Sequence, residues 1–326
     1  MTASLRDRFG ALLFTQVDIA SLVVFRIAFG LLMAWEGQHL LASGAATEWM
    51  GYAYRFSYPG FSWVRMWPGE WIYLHVYALA ALGLCIAAGF LYRAACALFA
   101  VGFAWIFLLD EAFYLNHFYL ICLMSAGMAL LPAHRAVSVD AWLRPSLRSE
   151  TIPAWPVWLL RAQMGFVYFF GGIAKLDAGW LSGSVMAGVL PNLLPYPYVQ
   201  DLWAEPWFAV FLAWGGLLLD LFVVPALLWR PTRYWALAFA TGFHLANHAM
   251  WNIGVFPWLA IAATLVFLDP DWPRRVFNWP RRGGIESPPF AWTRERRVVA
   301  GLFAAYLLVH VLLPLRPLLR SDERRV

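Results

Sequence analysis

Long apolar stretches separated by short polar ones set the pattern of this chain. Windows of about 17–24 mostly apolar residues, the length that crosses a hydrocarbon core, fall at 19–41, 71–91, 94–110, 113–132, 156–176, 206–229, 233–249, 251–268 and 297–315. They predict an all-α fold: a polytopic membrane bundle of about nine transmembrane helices with no large soluble domain. Only Glu111 and Ala112 separate the third and fourth windows, and the seventh and eighth meet at Met250, so both junctions read as tight helical hairpins. The expected organisation is a cytoplasmic segment at 1–18, a transmembrane domain at 19–270, a basic cytoplasmic loop at 271–296, a last span at 297–315 and a short tail at 316–326. The one stretch that reads as a flexible linker is 281–296.

Composition supports the same class. With 62% hydrophobic residues, 13% charged residues and a mean hydropathy of +0.62, a soluble globular domain is excluded. The net charge of +5 comes from arginines in the polar gaps without an aromatic-interleaved basic groove, so the partner is the lipid bilayer and no nucleic acid is expected. Counted over alternate gaps, fifteen arginines stand against six, which puts the N-terminus in the cytoplasm. Cys85, Cys96 and Cys122 lie in apolar segments with no Cys-x-x-Cys pair, which argues against disulfide exchange and thiolate metal sites. Arg6 and Arg8 precede no short apolar run with a cleavage site, so the first span is expected to stay.

The orientation gathers the polar residues of the spans. Glu36, His39, His75, Asp110, Asn116, His117, Lys175, His244, Asn247, His248 and Asn252 all fall toward the outer ends of their windows. Ionisable groups in a membrane are costly and mark function by default. The outer loops 42–70 and 177–205 are rich in Trp, Tyr, Pro and Gly, as lids over a cavity or a plain aromatic belt would be.

Lys175 stands apart, because it is the only lysine among 326 residues and sits in an apolar run. Arginine cannot give up its proton at any useful pH, whereas a lysine can when buried. A general base is therefore one reading, and a lysine snorkelling to the headgroups is the other. Asn116 and His117 open the fourth span, where a neutral imidazole can hydrogen-bond a quinone-sized oxygen or simply satisfy a neighbouring helix. His244 and His248 share a helical face, the geometry of a two-histidine metal pair, but only His117 or His39 is on offer as a third ligand. No metal is expected; these side chains read as cavity lining or as partners of Asn247 and Asn252. Asp177 is placed to cap or turn the chain after Lys175. Asp220, deep in its span, needs a partner, and Arg26 and Arg161 are the expected structural ion-pair candidates.

Several stretches carry a resemblance. They are SLVVFRIAFGLLM at 21–33, FLLDEAFYLNHFYL at 107–120, SVDAWL at 138–143, LRAQMGFVYFFGGIAKLDAGWLSG at 160–183, GGLLLDL at 215–221 and FHLANHAMWNIGVF at 243–256. In this order and spacing the chain resembles the vitamin K-dependent γ-glutamyl carboxylases and the bacterial proteins sharing the HTTM, or horizontally transferred transmembrane, domain. The resemblance implies a membrane enzyme that oxidises a reduced naphthoquinone, vitamin K or menaquinol, with O2 to the epoxide. Lys175 matches the base that deprotonates the quinol, and His117 the histidine that orients the quinone or its oxyanion, with Asn116 beside it. His244 falls on a cavity-lining histidine of the family, and Asp177 and Trp180 complete the Lys-Leu-Asp-Ala…Trp run. In the carboxylases the alkoxide formed on the way to the epoxide removes a proton from peptidyl glutamate, and CO2 adds.

Two departures change the expectation. Ala174 stands where the animal enzymes have a second lysine, and eleven residues follow the last window where the carboxylases carry a large peptide-binding domain. Quinol epoxidation is therefore the core expectation, while carboxylation would need a glutamate-containing peptide brought by a separate partner subunit. A non-catalytic membrane module that binds a quinone, lipid or peptide is the alternative. A metal-dependent oxidoreductase built on His244 and His248 is a weaker third.

Overall fold

The apolar windows become helices. The structure, a computed structural model, describes residues 4–52, 54–192, 200–203, 205–251, 253–281, 284–285 and 290–319. In chain order the longer helices are α1 (Leu5–Phe14), α2 (Ala20–Ala42), α3 (Trp71–Ala88), α4 (Tyr92–Phe107), α5 (Asn116–Leu130), α6 (Trp155–Ala174), α7 (Pro206–Leu228), α8 (Arg233–Met250), α9 (Phe256–Thr264) and α10 (Arg294–Leu319). The only sheet among the described residues pairs β1 (Gln16–Asp18) with β2 (Thr151–Pro153). Three-residue strands are too short to leave a periodic signal, so this pairing is invisible in the hydrophobic pattern.

Among the described residues five helices are long and apolar enough to cross a membrane: α2, α3, α6, α7 and α10. The expected count of nine is thus met only in part. The window at 233–249 forms α8, which is not among the five, and those at 94–110, 113–132 and 251–268 are shorter apolar helices. Their ends are trimmed by identifiable breaks. A 3-10 turn at Glu111–Phe113 separates α4 from α5, and Gly254 at φ 59° with Pro257 starts α9 late. Fifteen residues of α5 rise only about 22 Å at 1.5 Å each, less than a hydrocarbon core of about 30 Å.

The chain forms two compact units. One comprises Val17–Ile152 and Ile253–Ile285. Its central contact is α2 against α3, where small residues let the backbones meet. A Cβ on Gly30 would lie 2.3 Å from the Ala87 nitrogen, and one on Gly83 would lie 2.6 Å from the Ala34 nitrogen. Stacked Phe99 and Phe103 from α4, with Phe118 of α5 edge-on, fill the next layer. Polar groups fasten the ends. Fully buried Arg26 donates to the carbonyls of Ala133, Ala136 and Val137 at 2.8, 3.2 and 2.5 Å. Asp140 accepts from the Leu91 and Tyr92 amides, both at 2.9 Å, and so caps α4 from outside. Asp18 holds Arg274 at 2.7 Å and also Arg281, while Arg274 reaches Glu150 at 2.5 Å.

The other unit comprises Met1–Gln16, Pro153–Asn252 and Glu286–Val326. Here α6 packs on α7, with Gly172 against Leu221, and Pro225 lies inside α7. Leu13 and Phe14 of α1 join Ala300 and Phe303 of α10 in a core flanked by Phe290 and Trp292. The segment read as a flexible linker is therefore anchored at both of its described ends, through Arg281 in one unit and Phe290 and Trp292 in the other. Positions 282–283 and 286–289 of that linker, Asn252, 193–199 of the expected outer lid and 320–326 of the tail lie outside the described residues.

Candidate functional site

Helix α6 delivers Lys175. The residue is its C-cap, so the side chain folds back over the last turn, and Nζ donates to the Gly171 carbonyl at 3.2 Å. Across from it, α7 presents Asp220, whose Oδ2 is 2.5 Å from Nζ. The glycine explains the fit, since a Cβ on Gly171 would stand 3.2 Å from Asp220 Oδ2. Nζ also lies 5.1 Å from the centre of the Trp180 ring, and Trp180 is fixed by its indole N–H on the Ala213 carbonyl at 2.7 Å. Asp177 turns the chain there by N-capping the short helix Ala178–Leu181, accepting from the Trp180 amide at 3.0 Å. Lys175 keeps a 22% exposed side chain, against 10% for Asp220.

This geometry corrects the expected ion pair. Asp220 pairs with the lysine, whereas Arg26 spends its donors on the carbonyls of the 133–137 loop and Arg161 stacks its guanidinium 5.0 Å over Trp158. An arginine on α6 that reached Asp220 would have to lie near its C-terminal end, and Arg161 sits in its first half.

A second polar contact belongs to the same unit. Tyr168 of α6 places its hydroxyl 2.7 Å from His244 Nε2 of α8, and both residues are buried. Tyr168 is two helical turns before Lys175, on the same face. That spacing was the available signal for a residue the sequence reading passed over. Asn247 is half-buried and its carbonyl accepts the Trp251 amide at 2.9 Å, while His248 is exposed on the next turn. Among the described residues no three His, Cys, Asp or Glu side chains converge as metal ligands would.

Asn116 and His117 belong to the other unit. Asn116 is exposed at the first turn of α5, and the half-buried His117 ring sits 6.2 Å from that of Phe256 and 5.0 Å from that of Phe118. In that unit Glu36 is 2% exposed and its Oε2 has no hydrogen-bond partner.

The family model for the HTTM domain matches residues 14–272. That is most of the chain, and it includes the Lys175 pair, Tyr168, His244 and His117. The chain belongs to the HTTM domain family. The match relates this HTTM domain to the vitamin K-dependent carboxylases. No solved structure matches the chain. Chemically, the Lys175 and Asp220 pair sets an amine and a carboxylate in contact at a partly buried helix interface, beside the Trp180 ring.

Proposed function

We propose that this HTTM domain is a membrane enzyme that oxidises a reduced naphthoquinone, vitamin K or menaquinol, with O2 to the epoxide, using Lys175 to take the quinol proton. The observation that carries the reading is the 2.5 Å contact between the sole lysine and Asp220. A proton leaving a quinol hydroxyl passes to Nζ while Nζ hands one across that contact to Oδ2. The pair ends with one proton more, and the quinol oxygen becomes anionic beside an ammonium. The quinol is then oxidised and O2 reduced: one oxygen atom enters the ring as the epoxide and the other leaves as water. The flat Trp180 ring, 5.1 Å from Nζ, suits an aromatic substrate reaching the amine from the lipid. The pair lies toward the outer face in the orientation set by the arginine count. Glutamate carboxylation with CO2, on a peptide brought by a partner, would draw on the basicity of the oxygenated quinone.

The test supplies detergent-purified protein with reduced vitamin K or menaquinol, O2 and bicarbonate and measures epoxide by mass spectrometry. Wild type forms epoxide, and Lys175→Ala and Asp220→Asn fall to background. His117→Ala, in the other unit, is assayed separately for its expected role as quinone partner. Equal background from wild type and Lys175→Ala, with quinone still bound, would overturn the enzyme. That outcome would favour a non-catalytic quinone-, lipid- or peptide-binding module, a reading that the close carboxylate partner of Nζ also supports, since it suits a permanent ammonium.

A further inference from the structure

Arg26 leads to a second site. By gripping three carbonyls of the 133–137 loop it holds Val137 at φ 45°, a left-handed conformation that a β-branched residue rarely adopts. The clamped loop forms one wall of a cavity of about 370 Å³, closed on other sides by Trp142, Arg148, Ser149, Glu150 and Trp279. That volume lies in the usual range for small-molecule sites.

Its electrostatics are one-sided. Two arginines, Arg135 and Arg148, line it. Arg148 commits Nε to the Ala141 carbonyl at 2.9 Å, which leaves its terminal nitrogens free to bind, and among the described residues neither arginine pairs with a carboxylate. The one acid on the wall, Glu150, is already neutralised by Arg274. The Ser149 amide donates to the Arg135 carbonyl at 3.1 Å, so the two cationic segments are tied together. Unpaired guanidinium groups around a cavity suit a phosphate oxyanion.

The rim names the carrier. Val137 and Trp142, both cavity-lining, are 58% and 70% exposed, and Leu143 beside them is 55% exposed. Exposed apolar side chains are stable where acyl chains cover them, and tryptophan favours the headgroup level. A freely diffusing phosphate would leave them in water. We propose that this cavity binds the phosphate of an anionic phospholipid headgroup, with Arg135 and Arg148 holding the phosphate and Trp142 and Val137 resting against the acyl chains.

The full chain in neutral detergent is titrated with phosphatidylglycerol or phosphatidylcholine and followed by native mass spectrometry. Phosphatidylglycerol binds wild type in preference to phosphatidylcholine, and the double substitution Arg135→Gln with Arg148→Gln weakens it roughly tenfold or more. Arg275→Gln, an exposed arginine of the same unit outside the cavity, leaves binding unchanged. Displacement by millimolar inorganic phosphate would assign the same oxyanion chemistry to free phosphate and overturn the lipid as carrier. Equal phosphatidylglycerol binding by wild type and double variant, or an equal loss in Arg275→Gln, would overturn the site. Hydrogen exchange on wild type needs no variant: added phosphatidylglycerol protects 135–149, and no protection there refutes the proposal.

Discussion

Lys175 and Asp220, separated by 45 residues, meet at 2.5 Å between α6 and α7. Two opposite charges in a poorly hydrated interface cost much to bring there, and the cost of leaving either one alone is greater than that of removing both. Asp220→Asn alone is expected to destabilise the protein by about 1–3 kcal/mol, the figure for a broken buried pair reduced for the partial exposure of the lysine. The double variant Lys175→Met with Asp220→Leu should recover most of the loss. Thermal unfolding of the four proteins in one detergent checks this; additive losses would show that the two side chains do not act as a pair.

The contact of α2 with α3 sets a steric limit. Gly30→Ala puts a methyl group 2.3 Å from the Ala87 backbone nitrogen, which cannot swing aside, and should cost about 3 kcal/mol or more. Gly127→Ala on α5 meets nothing within 4 Å and should be neutral or stabilising by up to about 1 kcal/mol. Chemical denaturation of both variants gives the comparison.

Removing the guanidinium of Arg26 strips three carbonyl oxygens of their donors in a buried place. Arg26→Met is expected to lose about 3 kcal/mol or more, and Arg26→Lys should regain less than half, because one ammonium cannot span three carbonyls set around a planar fork. Limited proteolysis within 133–137 should accelerate in both.

His134, in the loop after α5, gives a pH signature. Burial, reinforced by the charge of Arg93, pushes its imidazole below the ordinary value of 6.5, so the fold favours the neutral ring stacked on Tyr92. The stability this contributes is fully present above the unfolded-state value of about 6.5 and is lost as pH falls through the lower folded-state value. Melting temperature measured from pH 7.5 to 5 should fall more steeply in wild type than in His134→Gln; parallel curves would refute the assignment.

Much of this was legible in the hydrophobic pattern. Each of the nine windows contains a helix, because runs of apolar residues that long leave few other ways to satisfy the backbone. Their lengths were not legible, since Gly254 and the Glu111–Phe113 turn cut helices by conformation rather than by polarity. The importance of Lys175 could be read from its being alone, whereas its partner could not. Asp220 was assigned to arginines because charge and depth are visible in a sequence and the facing of two helices is not. Arg26 was read as one half of an ion pair, yet a guanidinium is equally served by carbonyls, which every residue carries and no sequence advertises. Tyr168 escaped notice because tyrosines in an aromatic membrane chain are unremarked until one meets a histidine.

The solitary amine has a practical consequence. Feeding cells lysine labelled at its side-chain nitrogen gives a protein with one labelled site, so a single magnetic resonance line reports hydration, protonation and ligand contact at Nζ with no assignment problem. An acylating reagent faces only that amine and the chain's α-amine, and its rate of attack at Nζ reads directly how often Asp220 lets go.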